Sequence, residues 1–324
     1  MGDPAAHRAR RTGRRRRHQG GGLRQVALMR IQWPDLPPGL RDDLENRLGA
    51  VIKAEPRTGG ALPGIAARLW HADGRTTWLK ACPRDDDAAW LYEREHRVGL
   101  ILPGDVPAPR MRWSSVAHGW VAMAHVFVAG APVDLSPGSG DVAMALATIA
   151  RLGDLLTPCP PGAPRISDHL SNLLAKAHAM LDDSDSALPR ANRAMYAEVL
   201  DGFDPALVGD TFLHFGLHPG ALRLVAGNTL VLDWGLACQG PAWVEPVLFG
   251  PWLIVAGHSP RRTESLLADL AVWQAAPPDL VTRLIALWTM GRLHKAAHAP
   301  ASARAGWEHA ASRGRAWLKL RLAG

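Results

Sequence analysis

Two stretches of the chain concentrate residue types that can do chemistry. His214-Phe215-Gly216-Leu217-His218-Pro219-Gly220-Ala221 sets two histidines four residues apart in a loop-like segment, and Asp233-Trp234-Gly235 begins nineteen residues after His214. Upstream, Lys80 lies near the end of a β-prone run, and Glu93 and Glu95 follow in a helical one. A glycine-bearing loop, Gly59-Gly60-Ala61-Leu62-Pro63-Gly64, can lie over phosphates through its backbone amides. Each feature alone also has an ordinary reading. A lysine near a strand end is a solvated edge charge, an aspartate ahead of Trp-Gly starts a turn, and loop histidines brace local structure. Cys82, Cys159 and Cys238 lie far apart and form no CxxC pair, which argues against a disulfide framework or a zinc cage and fits a reducing cytoplasm.

The elements that must position these residues fall into two groups. Leu40, Leu44 and Leu48 recur every four residues from Pro38 to Gly49, the mark of a short amphipathic helix. Residues 65–70 and 76–81 are β-prone runs around Ala72-Asp73-Gly74, which predicts a hairpin with Lys80 in its second strand. Residues 87–102 are helical in character and stop at Pro103-Gly104; the runs 111–115 and 120–128 complete a small antiparallel sheet. Residues 129–141, rich in Gly, Pro and Ser, read as a connector. Beyond it, helices are expected over 142–156, 169–181, 187–200, 262–273, 279–298 and 303–322, interrupted by short strands at 211–213, 222–225 and 229–232, the last two joined by Gly227-Asn228.

This order, a small sheet with one helix, a connector, then helices broken by short strands, is the layout of kinase-type phosphotransferases. The stretch from His214 to Ala221, with Asp233-Trp234-Gly235 after it, resembles the HGDLHPGN catalytic loop and metal-binding D-W/F-G of aminoglycoside phosphotransferases and their choline, homoserine and macrolide kinase relatives. The resemblance runs from about Leu40 to Leu322 and is strongest over residues 211–245. It implies an α+β, two-lobed protein-kinase-like fold, with a nucleotide-binding lobe at 29–128, a connector at 129–141 and a helical lobe at 142–324. It also implies ATP and Mg²⁺ as cofactors and a small-molecule hydroxyl as acceptor.

Phosphoryl transfer asks a protein mainly to position groups and neutralise charge. By resemblance, Lys80 grips phosphates, Glu95 orients that lysine, Asp233 holds metal, and Gly59 and Gly60 cover the nucleotide. Glu95 is preferred to Glu93 because Arg94-Glu95 is similar to the family's R-E helix pattern. His214 and His218 match the motif histidines and are expected to brace the loop. The pattern fails at two positions. Gly216 stands where the proton-accepting aspartate belongs and Ala221 where the metal-binding asparagine belongs; neither side chain has an oxygen. An impaired kinase is therefore expected, with a non-catalytic pseudokinase acting as regulator or scaffold as the alternative. Asp210 and His218 are the nearest substitute bases.

Charge narrows the partners. Residues 1–28 carry eight arginines against one acid, which accounts for the entire net charge of +7 and leaves the rest of the chain neutral. Such a tail is expected to be disordered, and nucleic-acid binding is not expected of the folded body. No run of eighteen apolar residues predicts a membrane span, and no signal peptide is recognisable, so a cytoplasmic protein is expected. Asp182, Asp183 and Asp185 form a carboxylate cluster of the kind a cationic aminoglycoside would need, on a helix end where solvation is the ordinary explanation.

Overall fold

The structure, a computed structural model, describes residues 31–57, 63–186, 188 and 190–323. Helix α1 (Pro38–Leu48) is followed by strands β1 (Val51–Pro56), β2 (Ile65–His71) and β3 (Thr76–Pro83), helix α2 (Ala89–Ile101), and strands β4 (Met111–Ala117) and β5 (Trp120–Val126). The five strands form one antiparallel sheet in the order β1-β2-β3-β5-β4. Successive strand residues face opposite ways. On β3, Leu79 and Ala81 join Leu40, Leu44 and Leu48 of α1 in one cluster, while Lys80 between them faces the other side, where α2 lies. The β2–β3 turn uses the expected Asp73-Gly74, with Gly74 at φ 83° and the Asp73 carboxylate accepting from the Arg75 amide.

The connector contributes a short strand β6 (Ala131–Pro132), which pairs with β8 (Leu222–Val225). The larger lobe contains α3 (Asp141–Leu155), α4 (Ile166–Asp182), α5 (Arg190–Leu200), β7 (Thr211–Leu213), β8, β9 (Asn228–Val231), β10 (Cys238–Gly240), α6 (Val244–Val255), α7 (Pro260–Ala268), α8 (Ala271–Gln274), α9 (Pro278–His298) and α10 (Ala301–Leu322). Two expectations need correction. The β8–β9 turn is Ala226-Gly227, both at positive φ, and Asn228 already pairs with Val225; the turn takes the two residues between the last paired positions. The helix expected over 262–273 breaks after Ala268, because Leu270 takes an extended backbone before α8. Strand β1 and helix α6 went unrecognised. Helix α6 buries ten of its twelve residues, so it is apolar on all sides and shows no period to read.

Among the described residues no helix is long and apolar enough to cross a membrane.

Candidate active site

Lys80 lies at the centre of the cleft between the lobes. Its ammonium donates to Glu95 Oε1 at 2.7 Å and to Asp233 Oδ1 at 2.9 Å, joining a strand and a helix of the small lobe to the loop after β9. Lys80 and Glu95 are buried, at 8% and 7% exposure, whereas the Asp233 side chain keeps 41%. Burial alone pulls a lysine toward neutrality, but the carboxylates of Glu95 and Asp233 outweigh it and hold Lys80 above its ordinary value. Burial likewise opposes ionisation of Asp233, and Lys80 more than compensates, so the aspartate stays below the usual carboxylate range. Glu93, the other candidate, pairs instead with Arg84 on the exposed side of α2.

Asp233 takes a left-handed backbone, φ 61° and ψ 59°, and leads into a single 3-10 turn, Trp234–Leu236. Aspartate tolerates that conformation better than most residues. Trp234 anchors the turn by donating from its indole to Val231 O at 3.0 Å. Gly235 is needed for close approach: a Cβ there would stand 2.8 Å from Leu91 Cδ1 and 3.2 Å from the Leu91 carbonyl oxygen on α2. The Asp-Trp-Gly turn and the helix carrying Glu95 are thereby packed together.

Both motif histidines are committed to the loop. His214, almost fully buried, bonds through Nε2 to Leu232 O at 2.8 Å and accepts from the Gly216 amide on Nδ1 at 3.2 Å; burial lowers it to about 4, so it is neutral. His218 Nδ1 accepts from the Gly220 amide at 3.0 Å, and its ring fills the space a Cβ at residue 220 would need. A neutral His218 in that arrangement carries its hydrogen on Nε2, which makes it a poor proton acceptor. Asp210 is exposed at the start of β7, where it accepts from the Gln239 amide.

Gly216 has an ordinary negative-φ backbone, absent from the positive-φ glycines, and a Cβ added there would meet the tip of Leu236 at 3.3 Å. Ala221 is fully buried under the loop. Phe215 occupies the second position of the motif at φ 61°, an uncommon conformation for a bulky residue, and stacks on His169 with centroids 4.7 Å apart. Sequence reasoning missed Glu245 at the start of α6. Its carboxylate accepts from the amides of His214 (2.6 Å) and Phe215 (3.1 Å), fixing the backbone just ahead of Gly216. Burial raises it to about 7. Gly59 and Gly60 lie outside the described residues. Of the same loop, Gly64 lies against β3 at φ 84°, and the Tyr92 hydroxyl donates to Pro63 O at 2.6 Å.

The cleft has a volume of about 300 Å³, with Lys80, Asp233, Arg57 and Arg223 at its polar end and Val98, Met111, Phe127 and Leu232 among its apolar walls. That combination of apolar slot and convergent charges suits a nucleotide. Among the described residues no group of three or more His, Cys, Asp or Glu is poised for a metal. Asp233 can contribute one carboxylate to a magnesium ion that takes its remaining ligands from phosphate and water, the usual mode for that ion. The three aspartates at the end of α4 are exposed, as solvated residues are, and the Asp183 carboxylate accepts from the Asp185 amide within the same turn.

The same architecture occurs in solved structures. The GDP and kanamycin complex of APH(2'')-IIIa aligns with a TM-score of 0.59 at 14% identity, covering 88% of this chain and 98% of that one. Spectinomycin phosphotransferase APH(9)-Ia, in complex with ADP and spectinomycin, gives 0.57 at 11% identity over 88% and 97%. Aminoglycoside phosphotransferase APH(3'')-Id from Streptomyces rimosus gives 0.54 at 21% identity over 79% and 96%. At these identities the likeness establishes the two-lobed kinase-like fold. No curated protein sequence matches the chain significantly. The family model described as APH, phosphotransferase enzyme family, matches residues 55–280, most of the chain, and the protein is a member of that family.

Proposed function

We propose that the protein binds ATP with Mg²⁺ in the interlobe cleft, and that its transfer of the terminal phosphoryl group to a small-molecule hydroxyl is slow for want of a general base. The observation that carries the reading is the buried Lys80, held between Glu95 and Asp233 at the polar end of an apolar slot. In this reading Lys80 grips phosphate, Glu95 sets the lysine's direction, and Asp233 presents its exposed carboxylate oxygen to the metal, which when bound would neutralise phosphate charge. Solved relatives were captured with ADP or GDP, which supports a nucleotide ligand here. When an acceptor hydroxyl bonds to phosphorus its proton must leave, and residue 216 has no carboxylate to take it. General-base assistance is worth about 10²- to 10⁴-fold.

The test is thermal unfolding with ATP and Mg²⁺. A ligand that binds the native chain raises its apparent stability, so a concentration-dependent rise is expected in the wild type and its loss in Asp233→Ala. No rise at millimolar ATP would remove the proposal. A second reading, a regulator that binds nucleotide without turning it over, is favoured by the absence of side-chain oxygens at Gly216 and Ala221. Measurable ATP turnover that Asp233→Ala abolishes would exclude it.

A further inference from the structure

Beside the loop, on the side of His218 that faces the large-lobe helices, lies a second group of charges. The His218 ring is 5.9 Å from that of Trp252 on α6. The Arg292 guanidinium of α9 sits over Trp288 at 4.4 Å, Trp252 at 5.4 Å and Trp307 of α10 at 5.5 Å, and the Lys295 ammonium lies 4.9 Å over Trp307. Residues 288, 292 and 295 follow helical spacing, so one face of α9 presents a tryptophan and two cations together. The nearest charges to act on Lys295 are Arg292 and Lys176, both of its own sign.

Among the described residues neither cation has a carboxylate partner. Every ion pair among the described residues lies elsewhere, and the Arg292 Nε is buried without a hydrogen-bond partner. Burial alone pulls Arg292 down to about 10. Lys295 keeps an exposed edge, yet burial of its charged end, then Arg292 and Lys176, bring it down to about 8. For the buried part of Arg292, the tryptophan faces return less than removal from water costs. Lys80, more deeply buried than Arg292 or Lys295, is matched by two carboxylates. An arrangement that holds two such charges beside a catalytic-type loop is complementary to an anion.

We propose that Arg292 and Lys295, backed by Trp252, Trp288 and Trp307, form the acceptor subsite and take the anionic group, carboxylate or phosphate, of a hydroxylated small molecule. This rests on the kinase reading for the word acceptor, but binding of the anion does not. A polycationic aminoglycoside would meet like charge there.

Tryptophan emission provides the readout. The titration is made in Lys80→Met/Glu95→Leu, which removes the cleft's own phosphate-gripping lysine, with glycerate, inorganic phosphate and kanamycin as probes. A saturable change with glycerate assigns a carboxylate, one with phosphate assigns a phosphate ester, and either should weaken roughly tenfold or more when Arg292→Met is added. Should Arg292→Met fail to fold, Lys295→Met, at a more exposed residue, decides in the same way. Anion affinity unchanged in the added variant, no response to either anion, or saturation by kanamycin alone would overturn the proposal. ATP stabilisation measured on the wild type and on Arg292→Met separates the readings: an ATP response kept in both while Arg292→Met loses the anion response leaves both standing, and no ATP response in the wild type beside an anion response that Arg292→Met removes sinks only the kinase reading.

Discussion

Glu245 shows how one side chain can carry a loop without leaving a trace in the sequence. Its carboxylate is buried and faces two backbone amides, and burial places its titration near 7 rather than 4.5. Between those values the native chain keeps a proton that the unfolded chain has released, so stability falls as pH rises through the window and levels off above it. Glu245→Gln abolishes the ionisation and keeps an acceptor oxygen. Urea unfolding from pH 4.5 to 7 should show the wild type losing stability relative to this variant, by a few kcal/mol at most. Gly216→Asp is the complementary experiment: the backbone is unstrained, only a flexible leucine tip crowds the new Cβ, and phosphoryl transfer should rise by roughly 10²-fold or more in a coupled ADP-release assay. Positions 80, 95, 214, 216, 218 and 233 were legible because a motif names them. Glu245 was not, because a carboxylate bonding to main-chain amides thirty residues away constrains no neighbouring residue type.

Elements with a clear period were legible and those without one were not. The leucines of α1 and the Asp-Gly hairpin follow from spacing; α9 is legible from Leu280, Leu284 and Leu287 and from its length, although it buries every residue from Leu284 to Met290. Helix α6 is wrapped by the core on every side, and β1 has a mixed pattern of partial exposure, so neither has an apolar stripe to detect. The contact of α9 with α10 depends on Gly314, where a Cβ would stand 2.3 Å from Thr289 Oγ1 and 3.1 Å from the Trp288 ring. Gly314→Ala should therefore destabilise the chain by about 1–3 kcal/mol, since overpacking forces neighbours off their preferred rotamers. Its measure is the midpoint of thermal unfolding. Because Trp288 belongs to the cationic subsite, the anion response should weaken as well, while ATP stabilisation stays intact.

Across the whole molecule, the lobes meet through the Lys80, Glu95 and Asp233 network and the packing of the 3-10 turn under α2. Replacing Lys80 by Met strands Glu95 as a buried charge, which costs about 3–5 kcal/mol; adding Glu95→Leu should return much of that loss in the same unfolding assay. The two-lobed plan itself could be read from the order of elements, and the basic residues Arg313, Arg315, Lys319 and Arg321 already argued against a cationic acceptor, whereas the grouping of Trp252 of α6 with Arg292 and Trp307 of α9 and α10 could not be read, since it joins positions forty residues and more apart. The 2.9 Å contact of Lys80 with Asp233 has a kinetic side too. It occupies the ammonium and one carboxylate oxygen at the polar end of the cleft, so an arriving phosphate or metal must displace a partner already in place. Association observed by stopped flow should consequently level off at high nucleotide concentration, the plateau reporting how often the resting chain lets go of itself.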